Sequence, residues 1–220
     1  MKIELSYPVT PLHINQHFGD NLPCVKDFGL PTQNIVSGTS TTCPLGYDKL
    51  YPHFGLKGHN GMDLAAGNQP VYAAHDGTVV EQQLVPANGL GLGILTDEQY
   101  DFPEGTHYLK IRYWHLKEFK VNVGDKVKKN QVIGISDNTG YSSGNHLHFE
   151  GQLMDKDTGG HPYVIGLDNG YYGAINLEPY LVYEQSPYEI LMALADKMQL
   201  TNPAQAKIVR AVALVVKAFS

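Results

Sequence analysis

Cysteine is almost missing from this 220-residue chain, which carries only Cys24 and Cys43. That excludes a dense disulfide framework and any CxxC metal or redox motif. The pair is compatible with one bridge in an oxidising setting and equally with two separate thiols. Positive charge is also scarce: 16 Lys and Arg stand against 22 Asp and Glu, for a formal charge of -6 with no long basic block. A nucleic-acid partner, whose phosphates favour a positive stripe, is therefore not expected. No run approaches the roughly 20 apolar residues that a membrane span requires. Residues 1–8 lack the hydrophobic segment of a signal peptide, so no secretion route is expected from this stretch. What remains is an ordinary globular composition, 42% hydrophobic and 17% charged, long enough for one domain with an appendage or two small domains.

Against this background Asn145-His146-Leu147-His148-Phe149-Glu150 stands out, preceded by the glycine-rich run Asn138 to Gly144. Leu147, Phe149 and the earlier Val132 to Ile135 suggest strands, and residues two apart on a strand share a face. His146 and His148 are thus expected side by side. Upstream, Gly58 and Gly61 oppose a continuous helix, placing His59 on a loop and Asp63 at a strand entrance. Imidazole and carboxylate suit a borderline-soft cation such as zinc, and His59 and Asp63 combined with His146-x-His148 supply enough donors for a centre of three protein ligands with a position left for water. Tyr108 to His115 reads as a strand that delivers another histidine.

The surrounding pattern is repeated short strands with glycine turns. Val71 to Ala74 and Gly77 to Val80 flank a turn at Asp76-Gly77, and Gly89 to Thr96 follows. This favours an antiparallel, mainly β core over alternating strand and helix units. Asp97 to Gly105 reads as a hairpin insertion beside a substrate groove, with Tyr141 as a further wall. The proline-rich residues 21–52 read as a surface excursion. Helical periodicity begins after residue 186, with segments over residues 187–199 and 203–219; the second offers Ile208, Val212, Val215, Val216 and Phe219 as its buried face. The expected division is 1–185 as the main domain and 186–220 as a helical segment for packing, self-association or particle docking. His13, His17 and His75 read as surface histidines, and Glu150 as the partner of a neighbouring basic group. Ser142 and Ser143 lie near the motif, but a nucleophilic serine needs a base that is itself oriented by an acid.

In combination, His59-x3-Asp63, Tyr113-Trp114-His115-Leu116 and His146-Leu147-His148-Phe149-Glu150 resemble the M23 family of zinc metallopeptidases, the lysostaphin-like or LytM-like enzymes. The likeness is strong over residues 53–150 and weaker at Gln16 to Gly19 and Asn176 to Leu181. It implies an antiparallel β-sheet groove, zinc held by His59, Asp63 and His148, and His115 and His146 as the catalytic pair. It also implies an endopeptidase that cuts bacterial peptidoglycan peptides. An endolysin or bacteriophage particle component, reaching the cell wall by lysis or on the particle, would fit a chain without its own signal. The alternative is a non-catalytic wall-binding or assembly protein that keeps the fold. Without His-Glu-x-x-His, the helical metalloprotease arrangement is not expected.

Overall fold

The structure is a computed structural model that describes residues 1–21, 51–85, 88–140, 142, 144–182, 191–192, 194–195, 198 and 202–219, without side-chain placement at His53, Ala218 and Phe219. Cys24, Cys43, Tyr141, Ser143 and most of the excursion at 21–52 lie outside these residues. Two compact units are present, Met1–Val182 and Tyr183–Ser220.

The first unit is an antiparallel sheet. Its strands are β1 (Ile14–Gln16), β2 (Met62–Ala65), β3 (Pro70–Tyr72), β4 (Gly77–Val85), β5 (Gly89–Leu95), β6 (Tyr100–Phe102), β7 (Gly105–Phe119), β8 (Lys126–Val127), β9 (Val132–Ser136), β10 (His146–Lys156), β11 (Pro162–Val164) and β12 (Ala174–Ile175). Side by side they run β1-β2-β10-β7-β5-β4-β8, with β11 and β12 continuing along the edge of β10 and β9 joining β3 to β7. The turn at Asp76-Gly77 is flanked by strands as expected, yet these do not pair with each other: β3 bonds β9, while β4 bonds β5 and β8. Gly77 explains the entry of β4, because a Cβ there would stand 2.4 Å from the Leu95 carbonyl oxygen on β5.

Alternation sorts the two sheet faces. Met62, Leu64, Leu109, Ile111, Tyr113, Leu147 and Phe149 are buried on one face and pack with Leu5, Val9, Val71, Ala73 and Ile133. Each such side chain removed from water contributes roughly 1.5–3 kcal/mol. Tyr113 stays in this layer because its hydroxyl accepts the Ala74 N–H at 2.9 Å. The intervening residues, Asp63, Arg112, Trp114, His148 and Glu150, share the opposite face through the register Asp63↔His148↔Trp114 and Glu150↔Arg112.

The hairpin at Asp97 to Gly105 forms, with Tyr100 opposite His107 and Phe102 opposite Gly105. Its expected place beside the groove is not what the fold gives. The hairpin closes the N-terminal end of the 15-residue β7, and His115 lies toward the other end. Gly105 and His115 are ten residues apart on that strand, roughly 30 Å at a strand's rise.

In the second unit Leu191, Met192, Leu194, Ala195 and Met198 are helical, and a helix runs over Pro203–Phe219. Its expected buried face is corrected: Ile208, Val212 and Val215 are exposed and Val216 half-buried, while Ala206 and Ala213 are buried.

Candidate active site

Register brings the sequence-marked donors together. Asp63 on β2 and His148 on β10 are directly paired, and His146 lies two residues along β10 on the same face. His59 comes from the loop before β2. Its approach needs glycine on both sides: a Cβ at Gly58 would meet the Gly19 carbonyl at 2.4 Å, and one at Gly61 would lie 2.7 Å from His148 Nε2.

His115 reaches this face by a different route. Alternation along β7 sends Tyr113 to the core and Trp114 to the site, so His115 should return to the core. Instead Leu92 pairs with Tyr113 and Leu90 with Leu116, leaving Trp114 and His115 together opposite Gly91. This is a β-bulge, and His115 adopts a left-handed φ of 63° within it. Leu116 takes the core position, and the His115 ring comes to 4.5 Å from that of His146 and 6.1 Å from that of His148, measured between centroids. Gly91 makes room for the bulge, since a Cβ there would penetrate the Trp114 ring at 2.1 Å.

His59 Nε2, Asp63 Oδ1 and His148 Nδ1 form a tight triangle. The edges are 3.2 Å from His59 to Asp63, 3.1 Å from His148 to Asp63 and 2.9 Å between the two imidazole nitrogens. Each histidine has a carbonyl or carboxylate behind it. His59 Nδ1 donates to the His17 carbonyl at 3.2 Å, and His148 Nε2 stands 3.5 Å from Glu150 Oε2. With the outer nitrogens carrying protons, the inner nitrogens of neutral rings are lone pairs beside a carboxylate, a donor set suited to a divalent cation once His148 releases its second proton. Among the described residues this is the cluster whose ligand atoms lie within 4.8 Å of one another.

The electrostatics agree. Burial opposes the charge on Asp63, but hydrogen bonds with His148 and His59 outweigh it and hold the carboxyl well below its usual range. Burial likewise opposes a charged His148, yet the Asp63 and Glu150 carboxylates raise its pKa to about 9. The negative field that draws a proton to His148 also draws a metal ion.

Glu150 has the basic partner expected of it. Arg112 Nη1 donates to its Oε1 at 3.0 Å, while Asn60 Nδ2 donates to Oε2 at 3.1 Å. Arg112 also donates through Nε and Nη2 to Glu81 Oε1 at 3.1 and 3.0 Å, and its guanidinium lies 4.5 Å from the Trp114 ring centroid. Glu150 is therefore both a salt-bridge partner and a support behind His148.

His115 and His146 flank the triangle. His115 Nδ1 donates to the Thr139 carbonyl at 2.7 Å. Burial first, then the neighbouring His146 and His148, depresses its pKa to about 3, so it is neutral. His146 Nδ1 is 2.8 Å from the Gly144 carbonyl and 3.0 Å from Ser142 Oγ, and its Nε2 is 3.5 Å from Asp63 Oδ1. Ser142, His146 and Asp63 thus lie in a row that resembles a serine triad. However, His146 Nδ1 donates to a carbonyl that can only accept, and so has no lone pair for the Ser142 proton.

Several nearby groups carry no sequence signature of their own. Tyr51 precedes His59 on a short 3-10 turn, its hydroxyl receives a bond from Gln16, and its pKa is raised by burial and by Asp63. Gln16 faces Asp63 across the β1–β2 pairing, which is the signal that could have drawn attention to it. His17 is exposed and bonded to Glu178 at 2.9 Å, but its backbone carbonyl orients His59. His75, half-buried, bonds the Asp76 carbonyl and takes no part in the site.

The sequence pattern of peptidase family M23 matches residues 57–159. The chain is 38% identical over 104 residues to the glycyl-glycine endopeptidase ALE-1 of Staphylococcus capitis, covering 46% of this chain and 26% of that protein. It is 40% identical over 93 residues to the peptidoglycan DD-endopeptidase ShyA of Vibrio cholerae, covering 42% of this chain and 20% of that one. The matched stretch thus spans about a quarter or less of these relatives. Among solved structures, the catalytic domain of lysostaphin from Staphylococcus simulans is 27% identical, with a TM-score of 0.43 over 62% of this chain and 84% of that one.

Proposed function

Residues 57–159 are a peptidase family M23 domain, and from that premise we propose that the protein is a zinc-dependent endopeptidase that hydrolyses peptide bonds in bacterial peptidoglycan stem peptides or cross-links. The observation that carries this reading is the tight triangle of His59, Asp63 and His148 ligand atoms with two further imidazoles beside it. Zinc held there supplies a Lewis acid that polarises the scissile carbonyl and makes water more acidic.

The protein's own groups do the rest. His115 and His146 each hold a proton on Nδ1 against a backbone carbonyl, leaving Nε2 free to accept a proton from attacking water and return it to the leaving amine. Burial keeps His115 neutral, so its Nε2 lone pair carries no proton at neutral pH. Glu150, fixed by Arg112 and Asn60, holds the His148 ring in register. The second unit, Tyr183–Ser220, is assigned to attachment: Ile208, Val212 and Val215 form an exposed stripe with helical spacing that suits self-association or docking.

Digestion of chemically distinct purified peptidoglycans by the zinc-loaded chain, read by mass spectrometry, tests the reading. Cleavage in glycine bridges selects one specificity and cleavage between D-Ala and a diamino acid another. Binding to wall material without any peptide product would leave only a wall-binding role, and cleavage of glycan bonds alone would overturn the peptidase chemistry.

A further inference from the structure

Between β9 and β10, Thr139 contacts three separate parts of the chain, and each contact bears on His115. Its carbonyl accepts the His115 Nδ1 proton at 2.7 Å. Its hydroxyl donates to the carbonyl of Leu116, the residue after His115, at 2.8 Å and accepts the Leu90 N–H at 3.1 Å. From the other side Gly89, at a φ of +69°, packs so closely that a Cβ would come within 2.4 Å of Thr139 C, O and Oγ1. The backbone nearby repeats the link, since Asp137 N donates to the His115 carbonyl at 3.0 Å and His146 N to the Asp137 carbonyl at 3.2 Å.

We propose that Thr139 is a positioning residue that fixes His115 in the tautomer with its Nε2 lone pair turned to the reacting groups, and that the Gly89 end of the β4–β5 turn holds Thr139 in place. This rests on the endopeptidase reading for its catalytic consequence, though not for its geometry. A neutral imidazole has one N–H, so an acceptor fixed at Nδ1 decides which nitrogen can take a proton. The bulge makes such a fixture necessary. His115 has left the strand's alternation, and its Nδ1 is fixed from outside β7 by the Thr139 carbonyl. A threonine hydroxyl has one proton and two lone pairs, and here it ties the carbonyl that meets His115 to both adjoining strands.

Threonine to valine keeps the β-branched shape and removes both hydroxyl bonds, whereas serine keeps them. In zinc-loaded full-length protein labelled with 15N-histidine, long-range proton–nitrogen NMR correlations report the His115 tautomer directly. The wild type should show Nδ1–H. Thr139→Val should populate Nε2–H and lower kcat about tenfold with KM nearly unchanged, and Thr139→Ser should restore both. A wild-type His115 protonated on Nε2 would overturn the proposal without any variant, so it can be decided even if Thr139→Val does not fold. An unchanged tautomer and kcat in folded Thr139→Val would overturn it as well. The tautomer is read without substrate: a wild type that cuts no wall peptide would sink the endopeptidase reading, while the NMR result still decides the role of Thr139.

Discussion

Arg112 Nη1 sits 3.0 Å from Glu150 Oε1, on the sheet face that carries His148. Both side chains are largely withdrawn from water, and Arg112 also neutralises Glu81. Arg112→Ala would leave the buried Glu150 without its ion-pair partner, while Glu81 keeps Lys110 Nζ at 3.3 Å, and the expected loss is about 3–5 kcal/mol in unfolding free energy. Urea unfolding of the variant measures it; a loss below about 1 kcal/mol would mean the network contributes little.

Glu150→Gln keeps the volume but gives His148 a weaker support. Zinc affinity is expected to fall roughly 10- to 100-fold, the usual cost of losing a carboxylate behind a metal-bound imidazole. Competition with a chromophoric chelator reads this directly. Affinity equal to wild type would confine Glu150 to its salt bridge.

Replacing His148, His59 or Asp63 by alanine should empty the site, with bound zinc falling from about one per chain toward zero and activity falling with it. Replacing His115 or His146 should leave zinc in place while reducing turnover by about 10²- to 10⁴-fold. Elemental analysis beside peptide-release assays separates the two groups. Full zinc occupancy in His148→Ala would remove it from the ligand set, and full turnover in both single variants at His115 and His146 would remove the catalytic pair.

The two shifted histidines predict how stability varies with pH in chelator-treated protein. His148, raised from 6.5 to about 9 by carboxylates that outweigh its burial, contributes stability that is fully present below pH 6.5 and is lost as pH rises through about 9. His115 is depressed from 6.5 to about 3, chiefly by burial. It resists protonation when folded, so its contribution is lost as pH falls below 6.5 toward 3. Together they give a maximum near pH 6.5, checked by chemical unfolding across the range. Stability that rises steadily from acid to pH 9 would contradict the assignment. Zinc uptake at neutral pH should also release about one proton, seen as buffer-dependent heat in calorimetry.

The residues of the site were legible in unequal measure. His146 and His148 sit on one strand at a spacing of two, so their shared face follows from the sequence, and the glycines around His59 announce its loop. The strand pattern delivers His115, but its role in the site came only from family likeness. Strict alternation would have buried it with Tyr113, and the bulge that turns it outward depends on Gly91 in a different strand. The hairpin at Asp97 to Gly105 was correctly read as local structure and wrongly placed, because the length of β7 is not visible in the residues of the turn. Thr139 was invisible for a related reason: its hydroxyl partners, Leu90 and Leu116, are distant in sequence and offer only backbone groups. On the C-terminal helix the apolar period was real, but period alone does not say which residues are covered, and the alanines were.

The long span of β7 also has a practical consequence. Its hairpin end and its histidine end are joined by a stiff, hydrogen-bonded rod buried between β5 and β10, so the outer loop can be treated as a handle. A fluorophore or affinity tag grafted near Glu104, exposed at the hairpin tip, would report on the protein in binding assays while leaving the histidine end as the chain made it.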